Sequence, residues 1–248
     1  MAKARKSTRA GTTRGGVKRR LPINSAAMTK IEPLTPNQER LFKAWDEGKH
    51  MFIYGCAGTG KTFCALYKAL YDCLKETPVY DNVYIVRSLV ATREIGFLPG
   101  DHEDKSSLYQ IPYKNMVKYM FEMPNDNEFE VLYGGLKGQE TIKFWSTSFL
   151  RGVTLDNAVI IIDEMQNLNF HELDSIITRI GENSRIIFCG DAMQTDLQRD
   201  KEKNGIHDFM RILEIMPDDF EMIEMGIDDI CRSGLVRNYL IAKNAAGM

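Results

Sequence analysis

Short unbroken apolar runs alternate along this chain with longer stretches in which apolar residues recur every three or four positions. Met51-Phe52-Ile53-Tyr54, Val83-Tyr84-Ile85-Val86, Ala158-Val159-Ile160-Ile161-Ile162 and Arg185-Ile186-Ile187-Phe188-Cys189 are of the first kind and rich in β-branched or aromatic residues. Such runs predict strands buried on both faces, as parallel strands are. Residues 142–145 and 220–223 read as two more strands. Between the strands, Phe63, Leu66, Tyr67, Leu70 and Leu74 share one face of a helix over residues 63–74. Thr35-Pro36-Asn37-Gln38 opens an earlier helix with capping-box spacing and proline at its first position; Leu41, Phe42 and Trp45 form its apolar face, and Gly48 stops it. Asn169 with Glu172 starts another helix, residues 204–216 form the next, and Ser233 caps a last one. Repeated strand–helix alternation predicts an α/β fold, a parallel sheet with helices on both faces and a single core. Residues 87–138, with their Pro, Gly, Asn and Asp content, read as an inserted functional loop system around one helix at 113–123 rather than as core.

A chain of 248 residues with 44% hydrophobic composition can bury one good core, so a second full domain is not expected. Charge divides it. The formal net charge of −2 hides a tail, residues 1–20, with eight of the 32 Lys and Arg residues and no acid. Poor in apolar residues, this tail cannot offset its ordering entropy, and residues 1–30 are expected to be disordered, with the domain proper at 31–248. It reads equally as a solubilising extension or as an electrostatic arm for nucleic-acid phosphates. No apolar stretch reaches the length of a bilayer span and no secretory signal is recognisable, so a cytoplasmic protein without membrane contact is expected. The five cysteines are odd in number and lack C-x-x-C spacing, which argues against a disulfide framework and zinc.

Gly55-Cys56-Ala57-Gly58-Thr59-Gly60-Lys61-Thr62 is a complete G-x-x-x-x-G-K-[ST] phosphate-binding loop, entered from an apolar strand and leaving into a helix. Only glycines let the backbone turn so tightly and wrap its N–H groups around a triphosphate. Lys61 then reaches the β- and γ-phosphates, and Thr62 supplies a hydroxyl ligand to Mg²⁺. Asp163 and Glu164 follow the apolar run at 158–162, at the carboxyl end of a central strand where such sheets bind ligands. Asp163 is the candidate Mg²⁺ organiser, and Glu164 the candidate group that polarises the attacking water. One strand later, Gln194 follows Gly190-Asp191 as a candidate γ-phosphate sensor. Gln38 is open between two readings, capping of its own helix and recognition of adenine.

Together these segments resemble the PhoH-like family of ATPases, in its short phage-type form, over about residues 35–236. The more specific parts are Arg87 with Gly96-Phe97-Leu98-Pro99-Gly100-Asp101, then Phe149-Leu150-Arg151-Gly152-Val153-Thr154-Leu155, Ile162-Asp163-Glu164-Met165-Gln166-Asn167, Gly190-Asp191 with Gln194, and Asp229-Ile230-Cys231-Arg232. Ser88, Met165 and Ser233 depart from the family's usual proline, alanine and histidine, and none of these removes a catalytic group. The resemblance implies a RecA-like core related to the first motor domain of superfamily 1 helicases, with ATP and Mg²⁺ as cofactors and action on RNA or single-stranded DNA. Too few residues follow Gln194 for a second motor core, so the transition-state arginine is expected from a neighbour: Arg232, or after it Arg237, in a ring-like homo-oligomer with six as the expected count. Arg87, Arg93, Lys114 and Lys118, with Tyr119, are the candidate nucleic-acid contacts. The competing class is an ATP-driven regulatory or protein-remodelling module without nucleic acid; a small-molecule phosphotransferase is weaker still.

Overall fold

The apolar runs become the strands of one sheet. A computed structural model describes residues 24–88, 102–150, 152–191 and 205–246. Its strands are β1 (His50–Gly55), β2 (Asn82–Arg87), β3 (Ile142–Ser146), β4 (Ala158–Asp163), β5 (Arg185–Gly190) and β6 (Phe220–Met225). They lie in the order β3-β2-β4-β5-β1-β6, and every neighbouring pair is parallel. The helices are α1 (Pro36–Asp46), α2 (Lys61–Cys73), α3 (His102–Met120), α4 (Asp126–Gly138), α5 (Phe170–Ile177), α6 (Gly205–Glu214) and α7 (Gly234–Ala245). No helix among the described residues is long and apolar enough to cross a membrane.

Both faces of the sheet are covered, which is why the inner strands β2, β4 and β5 show no polar alternation. On one face Met51, Ile53, Val83, Ile85, Val159 and Ile161 pack with Leu66 and Leu70 of α2 and with α3 and α4. On the other, Phe52, Val86, Ile160, Ile162 and Phe188 meet Leu173 of α5 and Phe209 and Leu213 of α6. Each fully buried isoleucine of β4 contributes about 1.5–3 kcal/mol. β4 is buried throughout, so its last residue, Asp163, is delivered to the sheet's carboxyl edge on a rigid support.

The segment expected to be an inserted loop system is mostly helix and core. Asn125 caps α4 by accepting the Glu128 N–H at 3.0 Å, and Phe129, Leu132, Tyr133 and Leu136 follow at helical spacing and are buried. Gly134, Gly135 and Gly138 obscure that periodicity in the sequence. The expected helix at 113–123 lies instead within the longer α3, which runs through Pro112 at the loss of one i→i−4 hydrogen bond. The tail boundary also moves. Residues 24–30 pack on the body: Ser25 N–H donates to Leu74 O and Thr29 N–H to Met120 O, both at 2.8 Å, and Met28 is only 8% exposed.

His50 pins the start of the sheet. Its Nδ1 accepts the N–H of Ile186 at 3.1 Å, and its ring centroid lies 5.2 Å from that of Phe220. Burial, and then the Arg185 guanidinium, push the imidazole below its ordinary 6.5, against a smaller opposing pull from Asp219. The unfolded chain takes up a proton near 6.5 that the folded protein resists, so stability falls as pH drops below that value toward the depressed folded pKa. The loss for one proton is at most about 1.4 kcal/mol per pH unit. Denaturant unfolding between pH 7.5 and pH 5 is expected to show a slope that His50→Asn reduces, since its Oδ1 can accept the same N–H without titrating. An identical slope in the variant would remove this role.

Candidate active site

β1 ends where the phosphate loop begins. At Gly55 the backbone turns with φ +112°, and the next N–H, of Cys56, bonds to Met225 O of β6 at 2.8 Å. Gly58 and Gly60 also hold positive φ, +77° and +81°, which an L side chain resists. Thr59 Oγ1 donates to Cys56 O at 3.0 Å and fixes the loop's curl. The Lys61 ammonium lies inside that curl, donating to Gly55 O at 2.8 Å and Cys56 O at 2.6 Å. Burial pushes its pKa down, while Cys189, Asp191, Cys56 and Asp163 pull it back up. α2 starts at Lys61 with no acid in its first turn, so the positive end of its dipole is uncompensated. A glycine cradle, a lysine and a helix N-terminus converge here, and the combination fits a polyphosphate.

Thr62 on the first turn of α2 and Asp163 at the end of β4 meet directly. Thr62 Oγ1 donates to Asp163 Oδ1 at 2.7 Å, and the buried Tyr113 hydroxyl of α3 donates to Asp163 Oδ2 at 2.6 Å. Burial first, and then Asp163, raise the Tyr113 phenol well above the ordinary tyrosine range, so it stays a donor. A hydroxyl and a carboxylate are hard oxygen donors of the kind Mg²⁺ takes together with phosphate oxygens and water. Among the described residues no group of three or more His, Cys, Asp or Glu is arranged to hold a metal. Thr62 Oγ1 and Asp163 Oδ1 are the two oxygens this site offers such an ion.

Glu164 leaves the strand in the left-handed region, with φ +53° and ψ 44°. For a non-glycine residue this costs about 1–2 kcal/mol. The turn folds its carboxylate back over the sheet edge, where Gln166 Nε2 donates to Oε2 at 2.5 Å. Gln166 Oε1 in turn accepts the Asp191 N–H at 3.0 Å, bridging the ends of β4 and β5. Arg87 ends β2 in register with Asp163. Its Nη2 is 3.8 Å from Glu164 Oε1, and its guanidinium carbon lies 5.8 Å from the Tyr109 ring centroid.

The structure thus brings together Lys61 and Thr62 at the start of α2 with Asp163 and Glu164 at the end of β4. Gln38 also touches the site: its buried amide donates to Thr59 O at 2.9 Å and to Cys231 Sγ at 3.1 Å. Its carbonyl accepts Leu34 N–H at 2.8 Å rather than that of the cap residue Thr35. Gln38 is a clamp on the loop. Arg232, expected in a neighbouring subunit's site, lies on its own loop; a methyl group at Gly58 would meet Arg232 Cγ at 3.0 Å and Leu240 Cδ1 at 3.1 Å. Of the expected nucleic-acid cations, Arg87 belongs to the carboxylate cluster, and Lys114 and Lys118 are paired with Glu130 and Asp126 of α4, each at 2.6 Å. Tyr119 is exposed but packs edge-on against Phe63. Gln194 and Arg93 lie outside the described residues. Tyr113 and Gln166 went unassigned in the sequence. Gln166 had a signal, its place two residues after Glu164; Tyr113, fifty positions from its partner, had none.

The chain matches the family model described as PhoH-like protein over residues 30–243. It is 32% identical over 145 residues to Protein PhoH2 of Bacillus subtilis (strain 168), covering 58% of this chain and 32% of that protein. To a PhoH-like protein of Mycobacterium leprae (strain TN) it is 31% identical over 212 residues, covering 86% and 58% of the two chains. The chain spans less than two thirds of the length of either relative. Among solved structures it is similar to the DUF1998 helicase MrfA bound to DNA, at 13% identity and a TM-score of 0.44, covering 84% of this chain and 28% of that one.

Proposed function

Because the chain belongs to the PhoH-like family and has a RecA-like P-loop α/β core, we propose that it is a Mg²⁺-dependent ATP hydrolase that couples hydrolysis to binding, moving on or remodelling RNA or single-stranded DNA. The observation that carries the ATPase reading is the meeting of Thr62 Oγ1 and Asp163 Oδ1 at 2.7 Å, beside the lysine of the phosphate loop and one residue before Glu164. Thr62 and Asp163 would hold Mg²⁺, and the ion would supply charge neutralisation for phosphoryl transfer. Lys61 holds the β- and γ-phosphates, Thr62 and Asp163 hold the metal and its water, and Glu164 orients the attacking water. Arg232, its stem against Gly58, lies beside the loop proposed to hold the phosphates.

For the polynucleotide, the support is charge. Lys114 and Lys118 of α3 are offset by α4, whereas the eight in residues 1–20 face no acid in sequence. The tail is therefore the better electrostatic arm. ATP turnover measured with and without single-stranded RNA and DNA over a range of salt tests this. Single strands are expected to raise turnover, and log affinity is expected to fall with log salt at about 0.7 per phosphate neutralised. Deleting residues 1–20 should flatten that dependence. Turnover indifferent to every polynucleotide would instead support the protein-remodelling alternative, which the lysine–carboxylate pairs on α3 and α4 favour.

A further inference from the structure

One face of α3 reaches into the candidate active site twice. Tyr109 and Tyr113, four positions apart and so on the same side of the helix, touch two of its charged residues: Tyr109 lies under the Arg87 guanidinium, and Tyr113 donates to Asp163 Oδ2. Tyr113 is 3% exposed. Its ring packs 5.6 Å from that of Phe144 on β3, so the hydroxyl has little freedom to leave the carboxylate.

A carboxylate with one oxygen tethered has its plane fixed. With Oδ2 held by Tyr113, Oδ1 is the oxygen turned to Thr62, at 2.7 Å, and therefore to any cation that Thr62 ligates. Without the tether, Asp163 can rotate about its last torsion, and Oδ2 is left in a buried setting without its partner, an arrangement that costs about 1–3 kcal/mol. We propose that Tyr113 is a positioning residue for the metal site: it sets the Asp163 carboxylate so that Thr62 and Asp163 present one oxygen each to Mg²⁺. This deepens the ATPase reading and rests on Asp163 organising the metal. Hydrogen-bond partners that orient a ligand typically change metal affinity about 10–100-fold when removed.

The test is equilibrium binding of a fluorescent ADP analogue, titrated with Mg²⁺, in the wild-type chain, Tyr113→Phe and Phe144→Leu. Tyr113→Phe keeps the ring and deletes only the donor. The Mg²⁺ concentration for half-maximal effect is expected to rise about tenfold or more, with metal-free ADP binding unchanged. Phe144→Leu loosens the same packing without touching the hydrogen bond, and is expected to lower thermal stability while leaving the Mg²⁺ midpoint in place. Tyr113→Phe with a wild-type midpoint, whatever its stability, overturns the proposal, as does an equal shift in Phe144→Leu. Wild-type binding indifferent to Mg²⁺ would remove the metal reading itself, and this inference with it.

Discussion

Glu164→Gln is expected to lower ATP turnover about 10²–10⁴-fold, the usual worth of a positioned general base, while nucleotide affinity stays within a few-fold of wild type. The substitution changes charge and little else. A glutamine carbonyl can still accept from Gln166 Nε2, which approaches Glu164 at 2.5 Å, so the bridge to Asp191 and β5 persists. The partner lost is Arg87, and at 3.8 Å that pair contributes under about 1 kcal/mol. What disappears is the ability to take a proton from water. The strained backbone at Glu164, φ +53°, is retained in both proteins and cancels from the comparison. Single-turnover hydrolysis beside equilibrium binding of a fluorescent ATP analogue separates the two effects. Turnover within about threefold of wild type would move the base elsewhere. Lys61→Ala should give the opposite split, with affinity lost first, because the ammonium belongs to the loop that holds the phosphates.

The strands were legible because burial on both faces leaves no ambiguity of pattern. In β4, Val159 and Ile161 face α2 while Ile160 and Ile162 face α5 and α6, and a run apolar at every position can only be satisfied by a covered sheet. The capping box at Asn169 and Glu172 was equally plain, and it closes as expected. α4 was not legible. Its three glycines and flanking Asn and Asp residues are turn-formers by local propensity, and tertiary burial of Phe129, Leu132 and Leu136 overrides them. Pro112 misled for the same reason, since α3 continues through it with Tyr113, Val117 and Met120 buried in the core.

The site divides along similar lines. Lys61 and Thr62 belong to a contiguous motif, and Asp163 and Glu164 to a strand end, so local order was enough to single them out as candidates. Contacts between distant segments were not available from spacing. Tyr113 reaching Asp163, and Arg232 lying on Gly58 of its own loop, depend on how α3 and the segment before α7 are carried over the sheet. Lys114 and Lys118 belong with these: the acids that meet them come from a helix whose existence the sequence did not announce.

Gly55→Ala is expected to destabilise the chain by about 3 kcal/mol or more and to abolish nucleotide binding. Two independent costs coincide there. The backbone φ of +112° lies where L side chains are rarely found, and a Cβ would be driven into the Met225 carbonyl oxygen while standing 3.0 Å and 3.1 Å from that residue's carbonyl carbon and nitrogen. None of these atoms can swing aside, because Met225 is the β6 partner of Gly55 and its oxygen accepts the Cys56 N–H at 2.8 Å. Relief must come from parting β1 and β6 at the point where the phosphate loop is launched, so stability and ligand binding fall together. Gly134 provides the contrast. It is exposed in α4 with open space where a methyl would go, so Gly134→Ala should stabilise by about 0.5–1 kcal/mol through helix propensity. Denaturant unfolding of the two variants beside wild type is therefore expected to move the midpoints in opposite directions. A Gly55→Ala protein within about 1 kcal/mol of wild type would mean that β6 yields, and the loop's anchorage would have to be sought in Gln38 and its hold on Thr59.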